Sequence, residues 1–312
     1  MSGATAPDLA ALTALVQPAR PGRRVAAARP LAGGLLHPGW RLALDDGSPD
    51  LVLRLYPHDP AAAEKERAIA ARVGGRVPVA RFLHLDPEGA VGGQPYALLE
   101  WRDGQSLDRA LSGADPAVRT ALGRACGATV AAIAAERFGC SGMLDARLAV
   151  TPWPESPAAL IERTLLTGPA AALLGAEACR SVAAFGARHR ALLAELAADS
   201  RLVHGDLRGA NLLVAGQGEA WRVAAVLDWE LCHAGTPLLD LGTLLRDDPG
   251  AAFAAGLAAG YRSAGGVLPA AWMALARLLD LVALGDALGT GDEAVRAYAG
   301  ERIAAFDLMY FN

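Results

Sequence analysis

Three oxygen-bearing side chains are spaced to work together. The stretch 202–214 reads LVHGDLRGANLLV, with Asp206 and Asn211 at the two ends of a tight loop between apolar runs. After a turn, VLDWE at 226–230 delivers Asp228 at the end of the next strand. An acid, an amide oxygen and a second acid gathered at one edge of a small sheet make a hard-oxygen set, suited to Mg²⁺ rather than zinc. That is chemistry for handling phosphate. Any one of the three reads equally well as a turn residue or a helix cap; all three in order, each beside an apolar strand, do not.

The elements that must position them follow from residue periodicity. Residues 41–44, the turn 45–48 and residues 51–56 read as strand, turn, strand, with Gly33, Gly34 and Gly39 in the preceding loop. A helix over 60–73, extended chain at 77–79 and 82–85, and a strand over 96–99 complete an antiparallel first third. Beyond residue 104 nearly everything is helical. Asp115-Pro116 and Ser156-Pro157 open helices running to about 137 and 166. Another spans 176–199, and after the β island at 202–203, 212–214 and 222–227, helices resume at 237–246, 250–263, 269–288 and 292–308. At 312 residues and mean hydropathy +0.26 the chain exceeds what one core usually supports. An α+β protein with a cleft between two lobes is expected.

Several other chemistries are excluded. Lys65 is the chain's only lysine and Glu66 follows it, so no P-loop is possible; neither Gly-x-Gly (216–218, 289–291) continues into a dinucleotide fingerprint. No nucleophile-elbow or zincin motif occurs. Cys126, Cys140, Cys179 and Cys232 form no C-x-x-C pair and read as reduced thiols. With 29 basic against 33 acidic residues, net charge −4 and no dense basic block, nucleic acid is not an expected partner. The first 24 residues lack the pattern of a secretory leader, and no uncharged run reaches the ~18 apolar residues of a membrane span. A soluble cytoplasmic protein without a membrane partner is expected.

The spacing Asp-x-x-x-x-Asn followed by a strand-borne Asp is that of the kinase catalytic loop. The blocks at 204–211 and at 227–241 (LDWELCHAGTPLLDL) resemble the signatures of the aminoglycoside phosphotransferase family, with a weaker likeness back to about residue 31. The resemblance implies a protein-kinase-like bilobal fold, with a small β-rich nucleotide-binding lobe over 1–101 and a large helical catalytic and acceptor-binding lobe over 102–312. It implies Asp206 as the catalytic base or hydroxyl-orienting group and Asn211 and Asp228 as magnesium ligands. His204 becomes a positioning residue, Asp240 a brace for the loop, and Arg208 a cation aimed at the γ-phosphate. The loop 31–39, with Gly33 and Gly34, resembles the nucleotide loop whose backbone N–H groups bond phosphate. Residues 96–104 resemble the interlobe hinge, with the backbone of Glu100 and Arg102 toward adenine. The activity implied is ATP·Mg²⁺-dependent phosphoryl transfer to a small-molecule hydroxyl, on an aminoglycoside-like antibiotic or another amino alcohol or sugar. Two readings stay open beside it: a metabolic kinase for choline, homoserine, methylthioribose or a sugar, and a non-catalytic nucleotide-binding pseudokinase.

Kinases hold the α/β-phosphates with a strand lysine paired to a helix glutamate. No lysine lies on a strand here, so Arg54, on the strand 51–56, is expected in that role. At about 100° per residue, Glu66 shares the buried face of Ile69 and Val73, which places Glu64 and Lys65 on the solvated side. Glu66 is therefore the expected partner. Residues 206–312 carry 13 Asp/Glu against 7 Arg, which leans toward a cationic acceptor. Trp101, Trp153 and Trp229 read as packing residues, and His233 as an ordinary surface or core histidine.

Overall fold

A computed structural model describes residues 8–31, 37–57, 59–306 and 308–311. The first lobe is an antiparallel five-stranded sheet, in the order β1 (Val25–Pro30), β2 (Gly39–Leu44), β3 (Leu51–Leu55), β5 (Tyr96–Glu100), β4 (Phe82–Asp86). Alternation along these strands gives the sheet two apolar faces. Leu51, Leu53, Tyr96 and Leu98 pack toward helix α1 (Leu9–Val16), while Ala97 and Leu99 join Tyr56, Ala62 and Ala63 on the side of helix α2 (Pro60–Val73). Arg54 falls on that second face. Helix α2 starts where the sequence places it, because the Asp59 carboxylate accepts from the Ala61 N–H and Pro60 occupies the first turn.

The second lobe is built from helices α3 (Leu107–Leu111), α4 (Pro116–Ile133), α5 (Pro157–Ile161), α6 (Pro169–Arg188), α7 (Arg190–Ala198), α8 (Leu238–Leu245), α9 (Ala251–Ser263), α10 (Trp272–Ala287) and α11 (Glu293–Ala304). Helices α4 and α9 touch backbone to backbone. A Cβ at Gly127 would stand 2.0 Å from the Leu257 carbonyl oxygen, and one at Gly260 2.0 Å from that of Arg124. Helix α6 has the length and hydropathy of a membrane span, yet it is broken at Gly175 (φ 78°, ψ 168°) and carries Glu177 and Arg180.

Three expectations need correction. The helix expected over 176–199 is two helices: His189 leaves the helical region (φ −103°, ψ 14°) with its imidazole 4.4 Å from the Phe185 ring. The helix to 166 loosens after Ile161 into a π-turn, in which the Thr167 N–H reaches back to Glu162. The β island is not one sheet. Strand β9 (Arg201–Val203) belongs to a four-stranded sheet ordered β8 (Val150–Pro152), β7 (Gly142–Leu144), β12 (His233–Gly235), β9. Strands β10 (Leu212–Ala215) and β11 (Arg222–Val226) pair instead with β6 (Gln105–Ser106). Strands of two or three residues are too short to show an alternation, which is why the sequence hides this division.

Candidate active site

The chain leaves one small sheet after β9, runs through the 204–211 loop into the other, and returns from Asp228 to the first as β12. Asp206 and Asp228 thus sit where the two sheets meet. The β10/β11 register pairs Leu212 with Val226, and the Leu227 N–H donates to the Asn211 carbonyl at 2.9 Å. Asn211 and Asp228 therefore share one end of a hairpin. Asn211 Nδ2 donates to both the Asp206 carboxylate and the Asp206 backbone oxygen, each at 2.9 Å, which fixes the loop as a closed turn.

Backbone bonds hold the loop from beneath. The buried Asp240 carboxylate accepts from the N–H groups of His204 (2.9 Å) and Gly205 (3.0 Å); burial nonetheless pushes its pKa up to about 7. His204 is fully buried, and burial pushes its pKa down to about 4, so the ring is neutral. Its Nε2 lies 2.8 Å from the Leu227 oxygen, and its Nδ1 accepts from the Asp206 N–H at 3.3 Å. Those partners settle the tautomer: Nε2 carries the proton. Trp229 packs on the ring at 4.7 Å. Burial raises the pKa of Asp206 itself, while the Arg208 guanidinium, with Nε 3.1 Å from Oδ2, pulls the other way. Asp228 has φ 66°, a left-handed conformation costly for a residue with a Cβ.

The β-rich lobe answers with charged side chains. Arg54 reaches Glu66 Oε2 at 3.2 Å with one terminal nitrogen and Asp228 Oδ1 at 2.5 Å with the other. Burial works against its charge, but Glu66, Tyr56 and Asp228 raise its pKa overall. Burial pushes Glu66 up to about 7 against the pull of Arg54, and the Tyr56 hydroxyl donates to its Oε2 at 3.2 Å. Lys65 corrects the expectation of a solvated side chain. It is buried, and its ammonium donates to the Glu230 carbonyl at 2.9 Å, across the cleft from its own helix. The acceptor lies 165 residues away, so helical periodicity could not reveal it. Glu64 is partly exposed. Sequence reasoning also missed His37 and Glu230, joined at 2.7 Å, with the His37 ring 4.7 Å from Tyr56. The only signal in the sequence was position, His37 lying within the nucleotide loop and Glu230 two residues after Asp228; their pairing across the lobes left none.

A cleft of about 540 Å³ lies between the lobes, with Arg54, Glu66, Glu100 and Arg102 on one side and Arg208, Asn211 and Asp228 on the other. Val52, Phe82, Leu99 and Leu213 form its apolar part. Glu100 and Arg102 are tied side chain to side chain at 2.6 Å, and the Glu100 N–H is taken by the Arg81 carbonyl. Gly33 and Gly34 lie outside the described residues.

A β-rich lobe over a helical one, with an acid, an amide and an acid at the junction, defines the protein-kinase-like class. The chain matches the phosphotransferase enzyme family over residues 27–276 and belongs to that family, whose members move phosphate to hydroxyl groups. No curated protein matches the chain by sequence. Among solved structures it resembles the GDP complex of an aminoglycoside 2′-phosphotransferase variant (15% identity, 96% and 97% of the two chains covered, TM-score 0.69). It also resembles a thermostable aminoglycoside phosphotransferase variant bound to AMP-PNP and hygromycin B (18%, 90% and 93%, 0.61). A third similar structure is a macrolide 2′-phosphotransferase from Brachybacterium faecium (24%, 96% and 99%, 0.60). At these identities the likeness is one of fold.

Proposed function

We propose that the protein transfers the γ-phosphoryl group of ATP, taken as its Mg²⁺ complex, to a hydroxyl of a small molecule in the cytoplasm. The observation that carries this reading is that Asn211, which closes its turn onto the Asp206 carboxylate, lines one cleft with Asp228 and Arg54. The residues fit the cation. Asn211 spends its Nδ2 on Asp206, which leaves Oδ1, and Asp228 has a second oxygen besides the one on Arg54. These two residues would hold Mg²⁺, which when bound neutralises charge on the β- and γ-phosphate oxygens.

The rest is done by this chain's own groups. The acceptor oxygen attacks the γ-phosphorus, the bond to the β-phosphate oxygen breaks, and the hydroxyl proton passes to Asp206, whose burial makes it a better base than a solvated aspartate. Arg208 stands beside Asp206 to meet the transferring phosphoryl group. Arg54, with Glu66 orienting it, takes the α/β-phosphates by releasing Asp228 to the cation. We assign nucleotide binding to residues 1–101, with Gly33 and Gly34 at the phosphates. Since the Glu100 N–H is occupied, the Glu100 carbonyl and the Arg102 N–H are assigned to adenine. Residues 102–312 supply the acceptor side. The acceptors bound or named in the similar structures, an aminoglycoside and a macrolide, bracket its chemistry, with amino alcohols and sugars between them. The free cysteines, with Cys126 and Cys232 pushed up to about 12 by burial, suit a reducing compartment.

ADP production from ATP·Mg²⁺ across a panel of hygromycin B, kanamycin, erythromycin, choline and homoserine tests this. Acceptor-stimulated turnover supports the proposal. Nucleotide binding with no stimulation by any hydroxyl acceptor would favour the non-catalytic reading.

A further inference from the structure

A cluster of side chains on the second lobe is used by nothing described so far. In the four-stranded sheet, Thr151, Met143, His233 and Val203 form one cross-strand row, so they share a face. Trp153, two residues past Thr151, continues that face, held by its N–H to the Ser141 carbonyl. Its indole meets the His233 imidazole edge-on with ring centres 6.0 Å apart. Leu231 lies two residues before His233, its backbone carbonyl 3.0 Å from His233 Nδ1. Met143, Trp153 and Leu231 are 40%, 44% and 51% exposed, and they are three of the seven exposed large hydrophobics among the described residues. Grouped this way, they form a patch rather than scattered surface residues.

The patch runs up to the catalytic loop. A Cβ on Gly205 (φ +85°) would stand 2.4 Å from the Leu231 oxygen and 3.1 Å from His233 Nδ1, so both press on the residue preceding Asp206. A molecule that presents its hydroxyl to Asp206 therefore has this face beside it, and a macromolecule seated there would crowd the carboxylate. The patch also offers a cation little. Burial pushes the His233 pKa down and the neighbouring Lys65 charge adds to that. The nearest carboxylates in sequence are engaged: Glu155 by Arg163 at 3.0 Å, Glu230 by His37 at 2.7 Å, and Asp145 by the N–H groups of Arg147 and Ala149. The acidic surplus of the second half is thus not spent on this face.

We propose that Trp153, Met143 and Leu231, with His233 between them, seat the apolar face of the acceptor, so that the acceptor is a hydroxyl-bearing molecule with one apolar side, such as a glycosylated macrocyclic lactone, and not a polycation. This rests on the phosphotransferase reading and narrows its acceptor. An aromatic ring and flexible thioether and isobutyl groups grip such a face without directional bonds.

The test is calorimetric binding of erythromycin and of kanamycin, with AMP-PNP·Mg²⁺ present, to wild type, Trp153→Ala and Met143→Asp. Both positions are half-exposed, and equal melting temperatures confirm that the variants fold. Erythromycin should bind the wild type, and either substitution should weaken it tenfold or more; kanamycin should bind more weakly and respond less than twofold. The proposal is overturned if erythromycin does not bind, if both variants hold it within twofold of wild type, or if Trp153→Ala changes sedimentation and not affinity, which would mark a contact between two copies. Trp153-dependent erythromycin binding without phosphate transfer to any acceptor of the panel would retain the seat and reject the kinase reading. Transfer to acceptors indifferent to both substitutions would do the reverse.

Discussion

The two walls of the cleft are built on different principles. On the helical side, Asp206 is held by a neutral histidine, an asparagine amide and backbone N–H groups braced by Asp240, all within 36 residues of one another along the chain. On the β-rich side, Arg54, Lys65 and His37 make polar contacts that cross between lobes, to Asp228 and Glu230, over separations of 174 and 165 residues for the Arg54 and Lys65 hydrogen bonds. One wall is preorganised by local bonds; on the proposed reading the other would exchange partners when nucleotide binds. The contrast suits a reaction in which the base must be in place beforehand while the phosphates are gathered by movable cations.

The largest effect expected from breaking the contrast is at the residue both walls share. Asp228→Asn should weaken Mg²⁺-nucleotide affinity by more than loss of an outer partner's support does, for which ~10–100-fold is typical, and so by ~10-fold at the least; titration of AMP-PNP with Mg²⁺ reads it. On the preorganised wall, His204 has its pKa depressed from 6.5 to about 4, so its contribution is present above pH 6.5 and is lost as pH falls toward 4. Linkage makes that about 3 kcal/mol, and urea unfolding at pH 7 and pH 4.5 should show a loss in wild type that His204→Asn lacks.

The movable wall gives smaller effects. Lys65→Met removes one charge-assisted bond between the lobes and should cost about 2 kcal/mol in unfolding free energy at neutral pH; no change would show that Lys65 ties nothing. Arg54→Ala and Glu66→Ala should each raise the KM for ATP, and the double variant should fall short of their sum by about 1 kcal/mol. Glu64→Ala should stay within about twofold. A more damaging Glu64→Ala, or independent addition, would mean that Arg54 and Glu66 are not one unit.

The same contrast decides what was legible in the sequence. The preorganised wall is local, so its residues stand at fixed spacings in two short blocks, and Asp206, Asn211, Asp228, His204 and Asp240 can be read directly. Arg54 and Glu66 were reachable because strand position and helical phase each put one residue on the cleft face. Lys65 and the His37–Glu230 pair were not, since each is defined only by the docking of one lobe on the other. The split of the β island into two sheets was hidden by strands too short for a pattern. Trp153 and His233 look like packing residues in sequence because only the pairing of β7, β8 and β12 brings them together beside Gly205.

The proposed reaction requires that Asp206 act on the acceptor hydroxyl and not on the nucleotide. Parallel measurement of kcat and of AMP-PNP·Mg²⁺ affinity for Asp206→Asn tests it most directly. The expected result is a kcat reduced ~100-fold or more with nucleotide affinity within about twofold of wild type. A variant that keeps over about a tenth of wild-type kcat, or that loses nucleotide affinity as strongly as Asp228→Asn, would contradict it.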